Sequence, residues 1–415
     1  MSDRIDPRWE VLGDIRGRAA WVVLGCLICQ LGLGFGYVLG PLAGDILSEF
    51  GWTRAQLSGA RFPQLLATSL TSPFIGWLVV RYGARGVLSS AAIILGISFA
   101  GLSAVQSLGA YYFFIIVMGF AVAGLGDITV GTAVSEWVTR NRGAALGIVY
   151  TGSNLGGWAL TRVANAISQS WDWRTALLVI GVGGAAIILP FAAFAVRRRG
   201  ASEETPTQVA SAATEAADGS SLTAYEALHT RSFWILAIAL FAFFFYFLSI
   251  IEHLVLFLHG SGLTRDEAVG YFSSAIGLGI FSKLGAGLLA DRISRRAIIT
   301  LDFGLLTVSS FVLLLLPDPN WIWVFIVCYG FATAARDIAY PLAIQYCFGD
   351  RFMAQIYGMM MLVLVGGALG PLFAGWVFDQ NDSYQVAFSS YALLNAAALI
   401  GCCFIRDERR RGERS

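Results

Sequence analysis

The chain has 415 residues, of which 57% are hydrophobic and 13% charged, and its mean hydropathy is +0.68. A soluble domain carries about 25% charged residues because its surface must meet water. The composition therefore excludes an ordinary soluble globular protein and indicates an exterior that faces the lipid bilayer. The formal net charge of +1 provides no basic field for binding nucleic acid.

Six cysteines lie in apolar runs, which is typical of small buried hydrophobic residues and not of a disulfide framework. Cys26 and Cys29 match C-x-x-C, but an apolar helix without a second cysteine pair is poor context for a redox or zinc site. We predict no metal site and no cofactor. The polar N-terminus, MSDRIDPRWE, shows no cleavable signal peptide, so the first apolar span is expected to direct insertion.

Apolar runs of about 20 residues, the length that crosses the hydrocarbon core as a helix, recur along the chain. They predict an all-α membrane protein with twelve transmembrane helices. The predicted spans lie near residues 20–45, 57–80, 87–106, 111–138, 143–168, 175–196, 233–259, 267–290, 297–316, 320–347, 353–378 and 385–405.

Arginines cluster in alternate connections between these spans, and acidic residues dominate the other connections. The positive-inside rule then places both termini in the cytoplasm, and we expect a cell membrane, here a bacterial inner membrane. Residues 197–231 are rich in Ala, Ser, Thr and Glu and are predicted to form a flexible cytoplasmic linker. The linker separates an N-terminal six-helix bundle, 1–196, from a C-terminal six-helix bundle, 232–415.

The two halves repeat each other in a constant register. GWLVVRYGAR begins at Gly76 and GLLADRISRR begins at Gly287, an offset of 287 − 76 = 211. The same offset relates Gly119 to Gly330. Two related six-helix bundles form a pseudo-symmetric pair, and a substrate site is expected between them near the membrane midplane.

The second copy of this repeat, with Gly287, Asp291, Arg292 and Arg295, resembles the loop motif of the major facilitator superfamily. The resemblance implies a twelve-helix carrier in which these residues, with Arg85 of the first copy, act in gating. The first copy has Val80 where the motif has an acidic residue, so we expect an asymmetric gate.

Two further stretches resemble one branch of that superfamily. GFGYVLGPLAGDILSEFGWTRAQLSGA at 34–60 and EHLVLFLHGSGLT at 252–264 are similar to the monocarboxylate transporters and the oxalate/formate-type antiporters. The resemblance implies transport of a small organic carboxylate. It also implies a cation in span 8 that binds the substrate carboxylate.

Lys283, the only lysine in the sequence, stands at that position, in Ile280-Phe281-Ser282-Lys283. Eight residues separate it from Asp291, about 12 Å along a helix, and such depth disfavours a lysine that extends to the membrane surface. The acidic residue that the monocarboxylate transporters have four positions earlier is Gly279 here, and the span 11 lysine of the oxalate-type antiporters is absent.

Other ionisable residues inside apolar spans indicate a specific structural or functional role, because inserting each into the membrane costs roughly 2.5–3.5 kcal/mol of free energy. Arg336 and Asp337 lie in span 10 with Tyr340 on broadly the same face. Adjacent helical residues point about 100° apart, so we expect that Arg336 and Asp337 do not simply neutralise each other. Asp337 is a candidate for proton coupling, and Arg336 and Tyr340 are candidates for substrate binding. A structural ion pair of Arg336 and Asp337 is the alternative.

Asp127 in span 4 is the acidic candidate in the first half, either as a proton carrier or as the fixed partner of Arg162. Glu252 in span 7 is a further candidate for proton coupling. The adjacent His253 is a candidate for substrate binding; it can respond to protonation or shape the outer cavity as a neutral hydrogen-bonding group.

Several remaining polar and aromatic groups have two interpretations each. Tyr37, Tyr150 and Asn154 are candidates for substrate binding, with interhelical hydrogen bonds as the alternative. Arg61 is expected to be interfacial. Phe243 to Tyr246 would suit an apolar or aromatic substrate tail, but lipid contact is the expected role for most of them. Glycines 32, 34, 36 and 40 are expected to form a helix contact surface.

Together these features predict a secondary active transporter of a small organic anion. We expect it to be proton-coupled, to work by alternating access, and to function as a monomer in the lipid bilayer. A drug or cation/proton antiporter and a membrane sensor that binds without transport are the alternatives. The sequence shows no nucleophile–base pair or phosphate loop, so an enzyme is not expected.

Overall fold

The computed structural model describes residues 15–138, 142–196, 221–290, 293–349 and 351–411. Regular structure in these ranges is helical. The helices are α1 Arg18–Leu31, α2 Leu39–Phe50, α3 Arg54–Gly59, α4 Arg61–Ser103, α5 Leu108–Leu125, α6 Asp127–Trp137, α7 Arg142–Ser170, α8 Trp173–Pro190, α9 Ala224–Leu228, α10 Arg231–Gly260, α11 Arg265–Ala290, α12 Arg295–Val312, α13 Pro319–Phe348, α14 Met353–Met361, α15 Val363–Gly367, α16 Leu369–Asn381 and α17 Gln385–Cys402.

These helices cover the twelve predicted spans. Nine helical segments of the described residues are long and apolar enough to cross a membrane, and one of them, Arg54–Ser103, contains both span 2 and span 3. The less apolar α7 and α11 supply spans 5 and 8. The prediction of an all-α, twelve-span membrane protein is confirmed.

The turn between spans 2 and 3 is a single non-helical residue inside α4. Gly83 has φ 77° and ψ 156°, a conformation that residues with a Cβ atom adopt only under strain. The chain can therefore leave one span and begin the next without a loop.

Side-chain caps begin many of the other spans. Thr53 and Gln56 form a reciprocal capping box at α3, and Ser107, Thr230 and Ser294 each accept a hydrogen bond from the first turn of the helix that follows. Caps satisfy backbone N–H groups that have no partner within the helix. This matters at a membrane because hydrocarbon offers those groups no alternative partner.

The linker prediction is corrected at one end. Residues 197–220 lie outside the described residues, but Ala224–Leu228 forms the short helix α9 instead of flexible chain. The reason is a capping box, in which the Thr223 side chain accepts from the Glu226 N–H and the Glu226 carboxylate accepts from Thr223. These hydrogen bonds, the backbone one foremost, lower the pKa of the Glu226 carboxyl.

The surface of the helices carries many large apolar side chains, as expected for contact with lipid. Leu70, Phe74 and Trp234, for example, are all more than half exposed. All six cysteines are free thiols, and Cys26, Cys29, Cys347 and Cys402 are buried as predicted. Cys403, at the end of α17, is exposed instead.

The contacts divide the chain into two compact units: unit 1 is Met1–Leu42 with Leu66–Glu203, and unit 2 is Ala43–Leu65 with Glu204–Ser415. In unit 1, α1 and the 3-10 turn Gly32–Tyr37 pack on α7. In unit 2, α13 packs on α11 and α12, and α10 packs on α16 and α17. Unit 2 includes 43–65, which the predicted division assigned to the first bundle; the division into two six-helix bundles stays a prediction.

Candidate functional site

Three charged side chains meet in unit 2 to form an ion triad of Lys283, Arg336 and Asp337. The Lys283 Nζ atom of α11 lies 3.1 Å from Asp337 Oδ2 of α13, and Arg336 Nη2 lies 2.7 Å from Asp337 Oδ1. The side chain of Lys283 is only 7% exposed, whereas that of Asp337 is 35% exposed. The triad thus presents a partly exposed carboxylate backed by two more deeply buried cations.

The position of Lys283 excludes a lysine that extends to the membrane surface, since its ammonium group is held by Asp337 inside the protein. The expectation that Arg336 and Asp337 do not pair is wrong. Their Cβ atoms point in different directions, but the long arginine side chain bends back to the neighbouring carboxylate. Asp337 also has a partner on another helix, Lys283 of α11.

Aromatic side chains surround the guanidinium group of Arg336. Its Cζ atom lies 5.0 Å from the ring centres of both Phe243 and Phe244 on α10, within cation–π range. Arg336 Nη1 also donates a hydrogen bond of 3.4 Å to the hydroxyl of Tyr357 on α14. These contacts hold the planar group in one orientation.

The lipid-facing expectation for the α10 aromatic residues is wrong for three of the four. Phe243, Phe244 and Tyr246 are buried, and Tyr246 bonds through its hydroxyl to Ser309 at 3.2 Å. Unit 2 packs several elements against this face of α10, which an apolar run by itself cannot reveal. Phe245 is partly exposed.

Tyr340 lies one turn beyond Asp337 and is fully buried. Its hydroxyl donates a hydrogen bond of 2.6 Å to the backbone oxygen of Leu236 and lies 3.4 Å from the sulfur of Met360. These contacts give Tyr340 a packing role, and its predicted role in substrate binding stays a prediction.

Asp302 of α12 is a buried carboxylate beside this triad. Its side chain is 3% exposed, and its Oδ1 atom has no hydrogen-bond partner among the described residues. The charges of Arg336 and Asp337 act on it from α13. Asp302, Lys283, Arg336 and Asp337 together are called the ion cluster below.

A second charged pair in unit 2 joins Arg61 of α4 to Glu252 of α10. Both side chains are nearly inaccessible, and Arg61 also donates 2.9 Å to Gln64 Oε1. The expectation that Arg61 is interfacial is therefore wrong. Its acidic partner Glu252, on a helix distant in sequence, pairs with the guanidinium group inside the protein. The same pairing gives Glu252 a structural ion partner, and proton coupling by Glu252 stays a prediction.

His253 lies in a hydrogen-bonded chain next to that pair. Its Nε2 atom lies 2.9 Å from the backbone oxygen of Pro371, so Nε2 carries a proton and donates, and its Nδ1 atom lies 3.0 Å from the hydroxyl of Tyr384. The Tyr384 hydroxyl in turn accepts from Arg54. These contacts are compatible with the neutral hydrogen-bonding role, and the roles of His253 in protonation and substrate binding stay predictions.

In unit 1, a break in span 4 positions Asp127. Gly126 is extended, and Asp127 is the first residue of α6, where the helix dipole stabilises a negative charge. Gln30 Nε2 of α1 lies 3.3 Å from Asp127 Oδ1. Asn154 is buried on α7, Tyr150 lies one turn before it, and Tyr37 ends the 3-10 turn of span 1. Their substrate roles stay predictions.

The predicted gating residues are only partly visible. Asp291 and Arg292 lie outside the described residues. Gly287 is within α11, and Arg85 and Arg295 are exposed on α4 and α12. No contact among the described residues tests the role of these residues in gating, which stays a prediction.

With this geometry established, comparison with known proteins identifies the family. The sequence model described as Major Facilitator Superfamily matches residues 24–365, most of the chain. The chain belongs to the major facilitator superfamily.

Relatives within the superfamily include transporters with different named substrates. The chain is 25% identical to the fujikurins efflux protein of Gibberella fujikuroi, over 95% of this chain and 84% of that protein. It is 22% identical to human monocarboxylate transporter 14, over 94% of this chain and 91% of the relative. The resemblance to monocarboxylate transporters seen in the sequence is thus confirmed.

A solved structure shows the same superfamily fold. A mutant of the nucleoside transporter NupG superposes with a TM-score of 0.71, covering 93% of this chain and 99% of that one at 14% identity. Together with the family match and the relatives, this fold makes the chain a multi-pass membrane transporter of the superfamily.

Two residues at this site were not predicted from the sequence: Asp302 of the ion cluster and Tyr357, which contacts Arg336. Asp302 is an acidic residue inside an apolar span, the same signal that singled out Asp127, and applying that criterion to every span would have found it. Nothing in the sequence distinguishes Tyr357, because tyrosines are common in apolar runs. Only the packing of the helices places its hydroxyl next to Arg336.

Proposed function

We propose that this superfamily member transports a small organic anion of the monocarboxylate type, coupled to protons, by alternating access. The observation that carries the proposal is the ion triad. Lys283 and Arg336 contribute two positive charges against the single carboxylate of Asp337, which is the most accessible of the three. An anion that enters a low-dielectric site needs such an excess of positive charge.

In this proposal Lys283 and Arg336 hold the substrate carboxylate. Lysine offers a compact, strongly hydrated charge and arginine a planar fork, so the two supply different hydrogen-bond geometries to one anion. Phe243 and Phe244, stacked against Arg336, would contact an apolar or aromatic part of the substrate. The proton is assigned to an acidic residue within the spans, for which Asp127, Asp337 and Glu252 are the predicted candidates.

The test is uptake of radiolabelled lactate, pyruvate, benzoate and phenylacetate into proteoliposomes, with and without an inward proton gradient. Protein-free liposomes correct for diffusion of the uncharged acids. We expect gradient-stimulated uptake by the wild type and a loss of at least about tenfold in Lys283→Ala, the effect of removing one charged hydrogen bond. Lys283→Arg should retain most of the uptake, and Arg18→Ala, an exposed charge at the start of α1, is the matched control.

Uptake of none of these acids, or uptake indifferent to Lys283, would overturn the anion proposal and turn attention to neutral or cationic substrates. Binding of an acid without exchange would indicate the sensor alternative.

Export of an organic metabolite by proton antiport is a second candidate, favoured by the similarity to the fujikurins efflux protein. The same vesicles distinguish the two, because symport is stimulated by an inward proton gradient and antiport by an outward one.

A further inference from the structure

We propose that Asp302 is the side chain that carries the coupled proton, a role that rests on the proton-coupled anion transport proposed above. Asp302 lies on α12, seven residues after the first residue of that helix, and is buried against α13 and α17. The sequence drew no attention to it, and the candidates named from sequence lie elsewhere.

The other acidic candidates already have partners that favour the carboxylate ion. Asp337 forms ion pairs with two cations, and Glu252 forms one with Arg61. Asp127 accepts a hydrogen bond from the Gln30 side chain and lies at a helix N-terminus. A proton added to any of them would weaken an existing charge interaction. None of the three is therefore well placed to take up and release a proton in each cycle.

Asp302 differs because its Oδ1 atom is buried and receives no hydrogen bond from the described residues. An ionised carboxylate in such a place is costly, and a proton removes that cost. The charged and titratable groups that interact electrostatically with it are Arg336 and Asp337 of α13, the helix that packs on α12, and the Cys402 thiol of α17. Lys283 of α11 acts through Asp337.

The charge balance of the ion cluster links the proton to the substrate. With Asp302 and Asp337 both ionised, the two carboxylates neutralise Lys283 and Arg336, and no net charge remains for an anion. When Asp302 takes one proton from water and becomes the neutral acid, the cluster has one net positive charge. A substrate carboxylate then restores neutrality, so one proton and one monoanion bind together.

The same balance gives the release step. When the proton leaves Asp302, the returning negative charge weakens the attraction between Arg336 and the anion, which then dissociates faster than it does from the protonated cluster. Asp302 acts on the substrate electrostatically, through the charge of Arg336, and need not touch it. It is a coupling residue, and its loss should separate coupling from binding.

The test uses the acid that the wild type takes up fastest from the lactate, pyruvate, benzoate and phenylacetate panel. Two quantities are measured in proteoliposomes: counterflow exchange of the labelled acid without a gradient, and proton entry driven by the acid, reported by internal pyranine. Asp302→Asn keeps the shape of the side chain but cannot ionise. Asp382→Asn, at an exposed acid in a left-handed conformation that asparagine accepts, is the control.

We expect Asp302→Asn to keep exchange within about threefold of the wild type while acid-driven proton entry and gradient-driven accumulation fall at least about tenfold. Proton entry equal to that of the wild type would overturn the role of Asp302. A parallel loss of exchange and proton entry in folded protein would also overturn it, because that is the result of a purely structural carboxylate.

If Asp302→Asn is not recovered as folded protein, the variant Asp302→Glu tests the role of Asp302 instead. The longer acid still titrates but in different surroundings, so the pH midpoint of uptake should shift, and an unshifted midpoint would contradict the proposal. The wild type tests the proposed function separately: if it moves the acid without protons, or moves no acid, that function fails whatever the variants do.

Discussion

Asp337 is the residue on which the ion triad depends, since it accepts from cations on its own helix and on α11. Without its charge, Lys283 and Arg336 repel each other inside the protein. Lysine and arginine are otherwise tolerated at such depth only when paired. The two cations are consequently stable neighbours only while an anion, from the protein or from a substrate, lies between them.

Asp337→Asn should therefore lower the stability of the folded transporter by about 2 kcal/mol. Breaking a fully buried pair costs about 3–5 kcal/mol, and the side chain of Asp337 is 35% exposed, which reduces the loss. Thermal unfolding in detergent measures the change, with Asp382→Asn as the control. The same experiment with added carboxylate should restore part of the loss, because the ligand supplies the missing charge.

An unchanged unfolding temperature in Asp337→Asn would show that water screens the triad and that Lys283 and Arg336 need no partner. Rescue by chloride as effective as rescue by the carboxylate would contradict specific recognition of organic acids.

At the scale of helices, glycine determines how closely the 3-10 turn Gly32–Tyr37 and α7 approach. A Cβ atom added to Gly34 would lie 2.4 Å from backbone atoms of Gly156 and Gly157, which cannot move aside like a flexible side chain. The contact surface predicted from the glycine pattern is confirmed here and at Gly32, whose added Cβ would lie 2.6 Å from Leu125 Cδ1.

Gly34→Ala is expected to destabilise unit 1 by about 1–3 kcal/mol, the usual cost of overpacking. Gly147→Ala on α7 is the matched control, because a Cβ atom there meets nothing within 4 Å and alanine favours the helix. Thermal unfolding of both variants is the measurement. Equal unfolding temperatures would contradict the close-contact interpretation.

The Arg61–Glu252 pair links α4 to α10 inside unit 2. Arg61→Ala leaves a buried carboxylate without its cation and should cost about 3 kcal/mol, whereas the double variant with Glu252→Gln should cost less than the sum of the single changes. A double-mutant cycle of unfolding free energies measures this coupling. Additive losses would mean that the two side chains are neighbours without energetic coupling.

At the scale of the whole molecule, the arginine distribution predicts that both termini are cytoplasmic. Cys403 offers a direct test because it is exposed near the C-terminus, whereas Cys26, Cys29, Cys347 and Cys402 are buried. A membrane-impermeant maleimide should label inside-out vesicles at Cys403 and leave sealed right-side-out vesicles unlabelled. Labelling should disappear in Cys403→Ser. Labelling from the outside only would reverse the predicted orientation.

The sequence by itself determined the number and kind of elements. Lipid cannot satisfy backbone hydrogen bonds, so each apolar run of sufficient length must become a helix, and the twelve spans follow from hydropathy. Lys283 and Asp127 were conspicuous for the same reason, as charges where charge is costly. The repeat and the loop motif by themselves indicated the superfamily.

Only the tertiary structure decided which side chains meet. Arg61 met Glu252 across 191 positions of sequence, and Lys283 met Asp337 on another helix. Hydropathy reports how deep a residue lies but not which face of the helix carries it, so the buried aromatic residues of α10 were expected to face lipid. The pairing of charges depends on that face and on side-chain reach, and both are fixed only when the helices pack.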